Sequence, residues 1–244
     1  MKSLFRINIF TYIFLILTLL SGYLREMFII FIILIVHELG HFFLMKLYKI
    51  DVKSITIYPY GGMIKSNMLI NTNSLKVIII SLGGIISQLL LFFVFFIGFK
   101  IGIVNNYYYD IFMKFNMSII IFNMLPIYPL DGFKIVNSFL ELIFSFKKSV
   151  WLSLIINLLS LIIFIIYLYI FKINNYVIVI FLIISLISYI RNIKYIFNKF
   201  YIERIIYNLD YKGLISVNNK NYMFKNKYNY ICGIGEKEYL NNFN

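Results

Sequence analysis

Runs of about twenty apolar residues, separated by short polar stretches, recur along most of the chain. As helices, such runs are long enough to cross the roughly 30 Å hydrocarbon core of a bilayer. They predict six spans, near residues 7–24, 27–48, 76–99, 109–126, 150–171 and 176–196. The first has no small-residue cleavage site of the A-x-A kind and reads as a retained span rather than a signal peptide. Within each run the apolar residues are continuous, whereas the strands of a membrane β-barrel alternate. The expected class is therefore an all-α polytopic membrane protein. Between the second and third spans the pattern changes. Ile50-Asp51-Val52-Lys53-Ser54-Ile55-Thr56-Ile57-Tyr58 is β-branched in rough alternation and runs into Pro59-Tyr60-Gly61-Gly62. That predicts a short strand entering a turn, a β-hairpin or re-entrant segment, with residues 52–58 as its open edge. Beyond about residue 200 the chain becomes rich in Asn, Lys and Tyr. The expected organisation is a membrane domain over 1–200, with its core in 27–140, and a short polar cytoplasmic tail over 201–244.

Composition narrows this further. With 61% hydrophobic and 14% charged residues, the chain has too few charges to cover a soluble surface. The net charge of +13 comes without any nucleic-acid recognition motif, so nucleic acid is not an expected partner. In a membrane protein, excess Lys and Arg instead sets orientation and meets anionic headgroups. Of the 23 basic residues, the six-span reading leaves only Arg25, Lys100, Lys114 and Lys172 on one side of the bilayer. The other nineteen share a side with both termini, the 49–75 loop and the tail. That side is expected to be cytoplasmic, in a multi-pass protein of the cell membrane. The single cysteine, Cys232, rules out an internal disulfide framework and is expected to be a free thiol.

The chemistry lies in the second span, at Ile35-Val36-His37-Glu38-Leu39-Gly40-His41-Phe42-Phe43, an H-E-x-x-H sequence. Residues four apart on a helix share a face, so His37 and His41 can bind one metal ion, with Glu38 in reach of a water held by it. Zinc would bring the pKa of that water toward about 7, and Glu38 would act as general base and then general acid. The chain has only two histidines, and both fall in this motif inside an apolar span. Ionisable groups there carry an insertion cost that calls for a function or a partner.

Catalytic zinc usually keeps three protein ligands, and no third histidine exists. The remaining donors are carboxylates and Cys232. Asp131 stands out in Asn123-Met124-Leu125-Pro126-Ile127-Tyr128-Pro129-Leu130-Asp131-Gly132, where two prolines end a span and a glycine allows close backbone approach. Glu141 is the rival. An ordinary helix-ending turn with a solvated Asp131 is the plain alternative.

Together, His37-Glu38-Leu39-Gly40-His41 and the downstream N-x-x-P-x-x-x-L-D-G run resemble the site-2 protease family of intramembrane zinc metalloproteases. Pro59-Tyr60-Gly61-Gly62 and Gly83-Gly84 with Ser87-Gln88 are similar to further family features, although the family more often has proline where Gly84 stands. The resemblance implies an endopeptidase with one Zn2+ per chain, held by His37, His41 and Asp131, and Glu38 as the catalytic residue. It places Asn123, Pro126, Gly61 and Gly62 beside the substrate, with the Asn123 amide able to hold a carbonyl or oxyanion. An equal alternative for Asn123 is a bond to backbone freed by Pro126. The implied partner is a membrane-associated protein cut within or near the bilayer. The layout is most similar to the sporulation branch of the family, whose substrate would be a pro-sigma factor, and the resemblance allows for inhibitory membrane partners. The alternatives are a vegetative member acting on an anti-sigma factor or signal-peptide remnants, and a membrane transporter. No loop could hold the PDZ domain usual in vegetative members. The internal repeats common in transporters are lacking.

Overall fold

The computed structural model describes residues 5–7, 9–58, 61–173, 176–211 and 213–242. It forms two compact units, one from residues 1–68 and 79–122, the other from residues 69–78 and 123–244. The Pro59-Tyr60 part of the expected turn lies outside the described residues.

The first unit begins with β1 (Phe5–Ile7), α1 (Ile9–Ser21) and α2 (Leu24–Leu47). Helix α2 has Glu26 in its first turn and Lys46 in its last, each matched to the helix dipole there. Its buried residues are Ile29, Ile33, His37, His41 and Met45, spaced by four along one slowly winding stripe. Strands β2 (Val52–Tyr58) and β3 (Gly61–Ser66) follow and pair antiparallel, with Ile57 opposite Gly62. Strand β1 pairs parallel with β2, Phe5 opposite Ile55, so the sheet order is β1-β2-β3. Residues 52–58 are thus the central strand, not the open edge expected from the sequence. Pairing on both sides uses their backbone groups, and the outer strands are β1 and β3.

Next come α3 (Ser74–Lys100) and α4 (Asn106–Met124), the former entering this unit at Ile79. Phe112 stacks on Phe95 at 3.9 Å between ring centroids, and both pack with Ile29 and Ile33 of α2. At the other end of the α2–α3 contact the side chains vanish. A β-carbon on Gly40 would overlap the Gly83 carbonyl and the Ser87 hydroxyl. Ser87 Oγ donates to Val36 O at 2.9 Å. Such small-residue contacts let membrane helices approach backbone to backbone.

The second unit holds α5 (Asp131–Ile143), α6 (Phe146–Ile170) and α7 (Tyr176–Ile206). The chain then folds into β4 (Leu214–Val217), a short 3-10 turn, β5 (Tyr228–Ile231), β6 (Ile234–Gly235) and α8 (Glu236–Asn241). Val217, Met223, Ile231 and Leu240 from this C-terminal module join Phe133, Phe146, Val150, Leu154, Tyr189, Ile193 and Phe200 in one core. Arg204, fully buried in the last turn of α7, is its polar hub. The guanidinium pairs with Glu236 and donates to Asn71 Oδ1 at 3.0 Å and to the carbonyls of Phe224 and Lys225 at 2.8 and 2.7 Å. It also lies over the Tyr211 ring, whose phenol burial pushes above its ordinary range, keeping it neutral there.

Helices α2, α3, α6 and α7 are long and apolar enough to cross a membrane, and the protein is a polytopic membrane protein. Helices α1 and α4, which the sequence also predicts as spans, have 13 and 19 residues.

Candidate metal centre

His37 and His41 lie one turn apart on the buried stripe of α2, with Nε2 atoms 3.1 Å apart. Each ring's other nitrogen meets an acceptor. His37 Nδ1 is 2.9 Å from Gln88 Oε1, and His41 Nδ1 is 2.7 Å from the carbonyl oxygen of Ile80. A carbonyl oxygen only accepts, so Nδ1 carries the proton in both neutral rings. Gln88 is oriented for this by donating its amide to Asn116 Oδ1 at 3.3 Å, with both side chains fully buried. The two Nε2 lone pairs then converge on one place. Facing lone pairs repel, and a cation between them removes the conflict. This is the tautomer and outer-shell pattern of metal-binding histidines. Close packing sets the rings in place, since a β-carbon on Gly84 would run into the His37 imidazole.

Glu38 faces a different surface of α2 and is only half-buried. Its Oε1 accepts the N–H of Gly62 at 3.2 Å. A β-carbon on Gly62 would overlap the Glu38 carboxyl, so glycine is what lets strand β3 pass this close. Gly61 opens β3 opposite Tyr58. The structure thus brings His37, Glu38, His41 and Gly62 together in the first unit.

Asp131 belongs to the second unit, where it is buried as the first residue of α5. Two turns of chain lead into it, with Ile127 N–H donating to Leu125 O and Leu130 N–H to Ile127 O, each at 2.8 Å. A β-carbon on Gly132 would overlap the carbonyls of Met124 and Leu125, so the glycine lets α5 start against the end of α4. Lys134 Nζ donates to Asp131 Oδ1 at 2.8 Å. Asn123, at the end of α4, and Pro126 are half-buried in the same stretch. Glu141, the rival ligand, is engaged elsewhere: its carboxylate takes bonds from Ser74, Asn137 and Lys225. Cys232 is exposed and free. Two imidazoles and a carboxylate are a donor set of catalytic zinc sites, and zinc is the cofactor that these donor types indicate.

Sequence reasoning left Gln88 and Ile80 without a role. Gln88 had a signal, a strongly polar side chain inside an apolar span. Ile80 had none, because it acts through its backbone carbonyl.

Residues 26–110, which include His37, Glu38, His41, Gly62 and Gln88, match Peptidase family M50. Stage IV sporulation protein FB of Bacillus subtilis is 26% identical over 189 residues, which span 76% of this chain and 66% of that protein. A zinc metalloprotease of Methanocaldococcus jannaschii is 26% identical over 131 residues, 50% of this chain and 36% of that protein. In architecture the chain resembles the solved site-2 protease of Methanocaldococcus jannaschii, with a TM-score of 0.56 and 18% identity over 77% of this chain and 89% of that one. The segment carrying the paired histidines thus matches Peptidase family M50, and the chain shares the fold of a solved site-2 protease.

Proposed function

We propose that this chain is an intramembrane zinc endopeptidase, with His37, His41 and Asp131 as the zinc ligands and Glu38 as the catalytic acid–base. The observation that carries this reading is the pair of Nε2 atoms 3.1 Å apart, with the Nδ1 of each ring held by Gln88 Oε1 and the Ile80 carbonyl. Asp131, buried at the start of α5, is the proposed third ligand by its chemistry. Zinc held there supplies Lewis-acid polarisation and makes a water acidic enough to attack near neutral pH. Glu38 then takes the proton from the attacking water as the carbon–oxygen bond forms. It hands that proton to the amide nitrogen as the carbon–nitrogen bond breaks, which leaves a carboxyl and an amino end. The Gly62 N–H holds one carboxylate oxygen of Glu38, and the other is the oxygen proposed to take the proton. A helical substrate must unwind to expose its amide. Strand β3, an outer strand whose backbone meets Glu38, suits pairing with the opened segment by strand addition. Asn123 and Pro126, with Gly61 and Gly62, are the proposed substrate-side residues.

The substrate class is a membrane-associated protein, and the likeness to a sporulation protein favours a pro-sigma factor. The proposed topology has six spans with both termini cytoplasmic. The test is co-expression with a membrane-tethered pro-sigma factor, read as a size change on a gel. Glu38→Gln should keep about one zinc per chain and lower cleavage by about 10²- to 10⁴-fold. A zinc chelator should block the wild type. Cleavage by Glu38→Gln at the wild-type rate would overturn the mechanism.

A further inference from the structure

Glu141 is buried, yet every neighbour it bonds comes from a different part of the second unit or from its own helix. It lies on α5, ten residues beyond Asp131. Its Oε1 accepts from Asn137 Nδ2 at 2.9 Å, and its Oε2 accepts from Ser74 Oγ at 2.8 Å and Lys225 Nζ at 2.7 Å. Lys225 belongs to the C-terminal module and is itself only 5% exposed. Its neighbour Asn226 reinforces the junction. Asn226 Oδ1 accepts the Ser74 N–H at 2.9 Å, and its amide donates to Ser74 Oγ at 3.0 Å and to the Glu141 carbonyl at 3.3 Å. Ser74 is the first residue of α3. Six residues further along that helix, the Ile80 carbonyl holds His41 Nδ1.

We propose that the Lys225–Glu141–Ser74 cluster is a positioning device for the metal centre. Through it the C-terminal module locks the helix that begins with Asp131 to the start of the helix that orients His41. The inference rests on the reading that His41 and Asp131 bind the same zinc ion. Its physical basis is rigidity. A helix advances about 1.5 Å per residue, so Glu141 stands about 15 Å from Asp131 and Ser74 about 9 Å from Ile80, each along one continuous helix. A metal site tolerates only a few tenths of an ångström in its ligand distances. A shift or tilt at the junction therefore reaches both ligands. A buried ion pair is weak support for stability, since apolar residues of similar volume often serve as well. Its directional bonds to two helix positions instead fix a register. The buried Asn71 gives the same segment a second anchor, bonded to Phe200 O, Glu203 and Arg204.

The test uses full-length protein in detergent, with zinc affinity measured by competition with a chromophoric chelator and thermal unfolding followed alongside. Lys225→Met leaves the Glu141 charge buried without its cation, and zinc affinity should fall about 10- to 100-fold, as for outer-shell partners of metal ligands. Adding Glu141→Gln to Lys225→Met removes the stranded charge while keeping an acceptor for Ser74. It should restore affinity to within a few-fold. Ser74→Ala keeps the ion pair and cuts only the side-chain link to α3, and it too should weaken zinc binding. Lys237→Met loses a bond to Asn208 in the same module and should leave zinc affinity unchanged. Wild-type affinity in both Lys225→Met and Ser74→Ala would overturn the proposal. If Lys225→Met fails to fold, Ser74→Ala decides alone. A wild type that binds no zinc would sink the metal reading itself.

Discussion

Replacing Gln88 by leucine should weaken zinc binding while leaving the helices in place. The side chain is fully buried and its oxygen lies 2.9 Å from His37 Nδ1. Leucine has similar bulk and accepts no hydrogen bond, so the Nδ1–H is left buried without a partner. A buried unsatisfied donor costs about 1–3 kcal/mol. The ring can escape that cost by moving its proton to Nε2, where His41 Nε2, at 3.1 Å, would accept it. That tautomer closes the site against a cation, so the penalty falls on the metal-bound state. Asn116 Oδ1 also loses its donor, but it does so with or without metal, and that loss cancels from the affinity. The expected result is a fall of about 10- to 100-fold in zinc affinity, measured by chelator competition on full-length protein. Gln88→Glu keeps an acceptor and adds negative charge, so it should bind zinc at least as tightly as the wild type. A folded Gln88→Leu protein with zinc affinity within about twofold of the wild type would refute the tautomer argument, given the 1–3 kcal/mol at stake.

Two other perturbations probe the remainder of the molecule. Arg204→Met leaves Glu236 buried without its cation and should destabilise the second unit by about 3–5 kcal/mol, seen as early protease cleavage between residues 207 and 242; unchanged protease resistance would count against the hub. Reporter fusions after about residue 70, about residue 145 and at the C-terminus should all report cytoplasm, as the asymmetry of basic residues requires, and an external signal at any of them would overturn the six-span topology.

Much of the candidate site was legible because its chemistry is local. His37, Glu38 and His41 sit within one turn and a half of one helix, and helical periodicity alone puts the histidines on a common face. The segment from Asn123 to Gly132 announced itself through two prolines and a glycine that no continuing helix would hold. Helix α5 was harder to see. It has 13 residues and mixes Asp131, Lys134 and Glu141 into its apolar pattern, so it has no span signature. The C-terminal module reads as a polar tail because its core positions, such as Val217, Met223, Ile231 and Leu240, are scattered among Asn and Lys.

By itself the sequence determined the membrane class, the positions of the long helices and the paired imidazoles. Each follows from interactions within about twenty residues, namely hydrocarbon transfer, backbone hydrogen bonding inside a helix and the 3.6-residue repeat. Only the tertiary structure decided which strand is central, what orients the rings, and where Glu141 spends its charge. Strand β2 became the middle of its sheet because it pairs with Phe5–Ile7, fifty residues earlier in the chain. The tautomers of His37 and His41 depend on Gln88 and Ile80, which α3 brings into contact across glycines that have no side chain to read. Glu141 found its cation in Lys225, 84 residues along the chain. Such long-range pairings are selected by packing and by the cost of leaving a buried polar group unpaired, and neither is written in any local pattern.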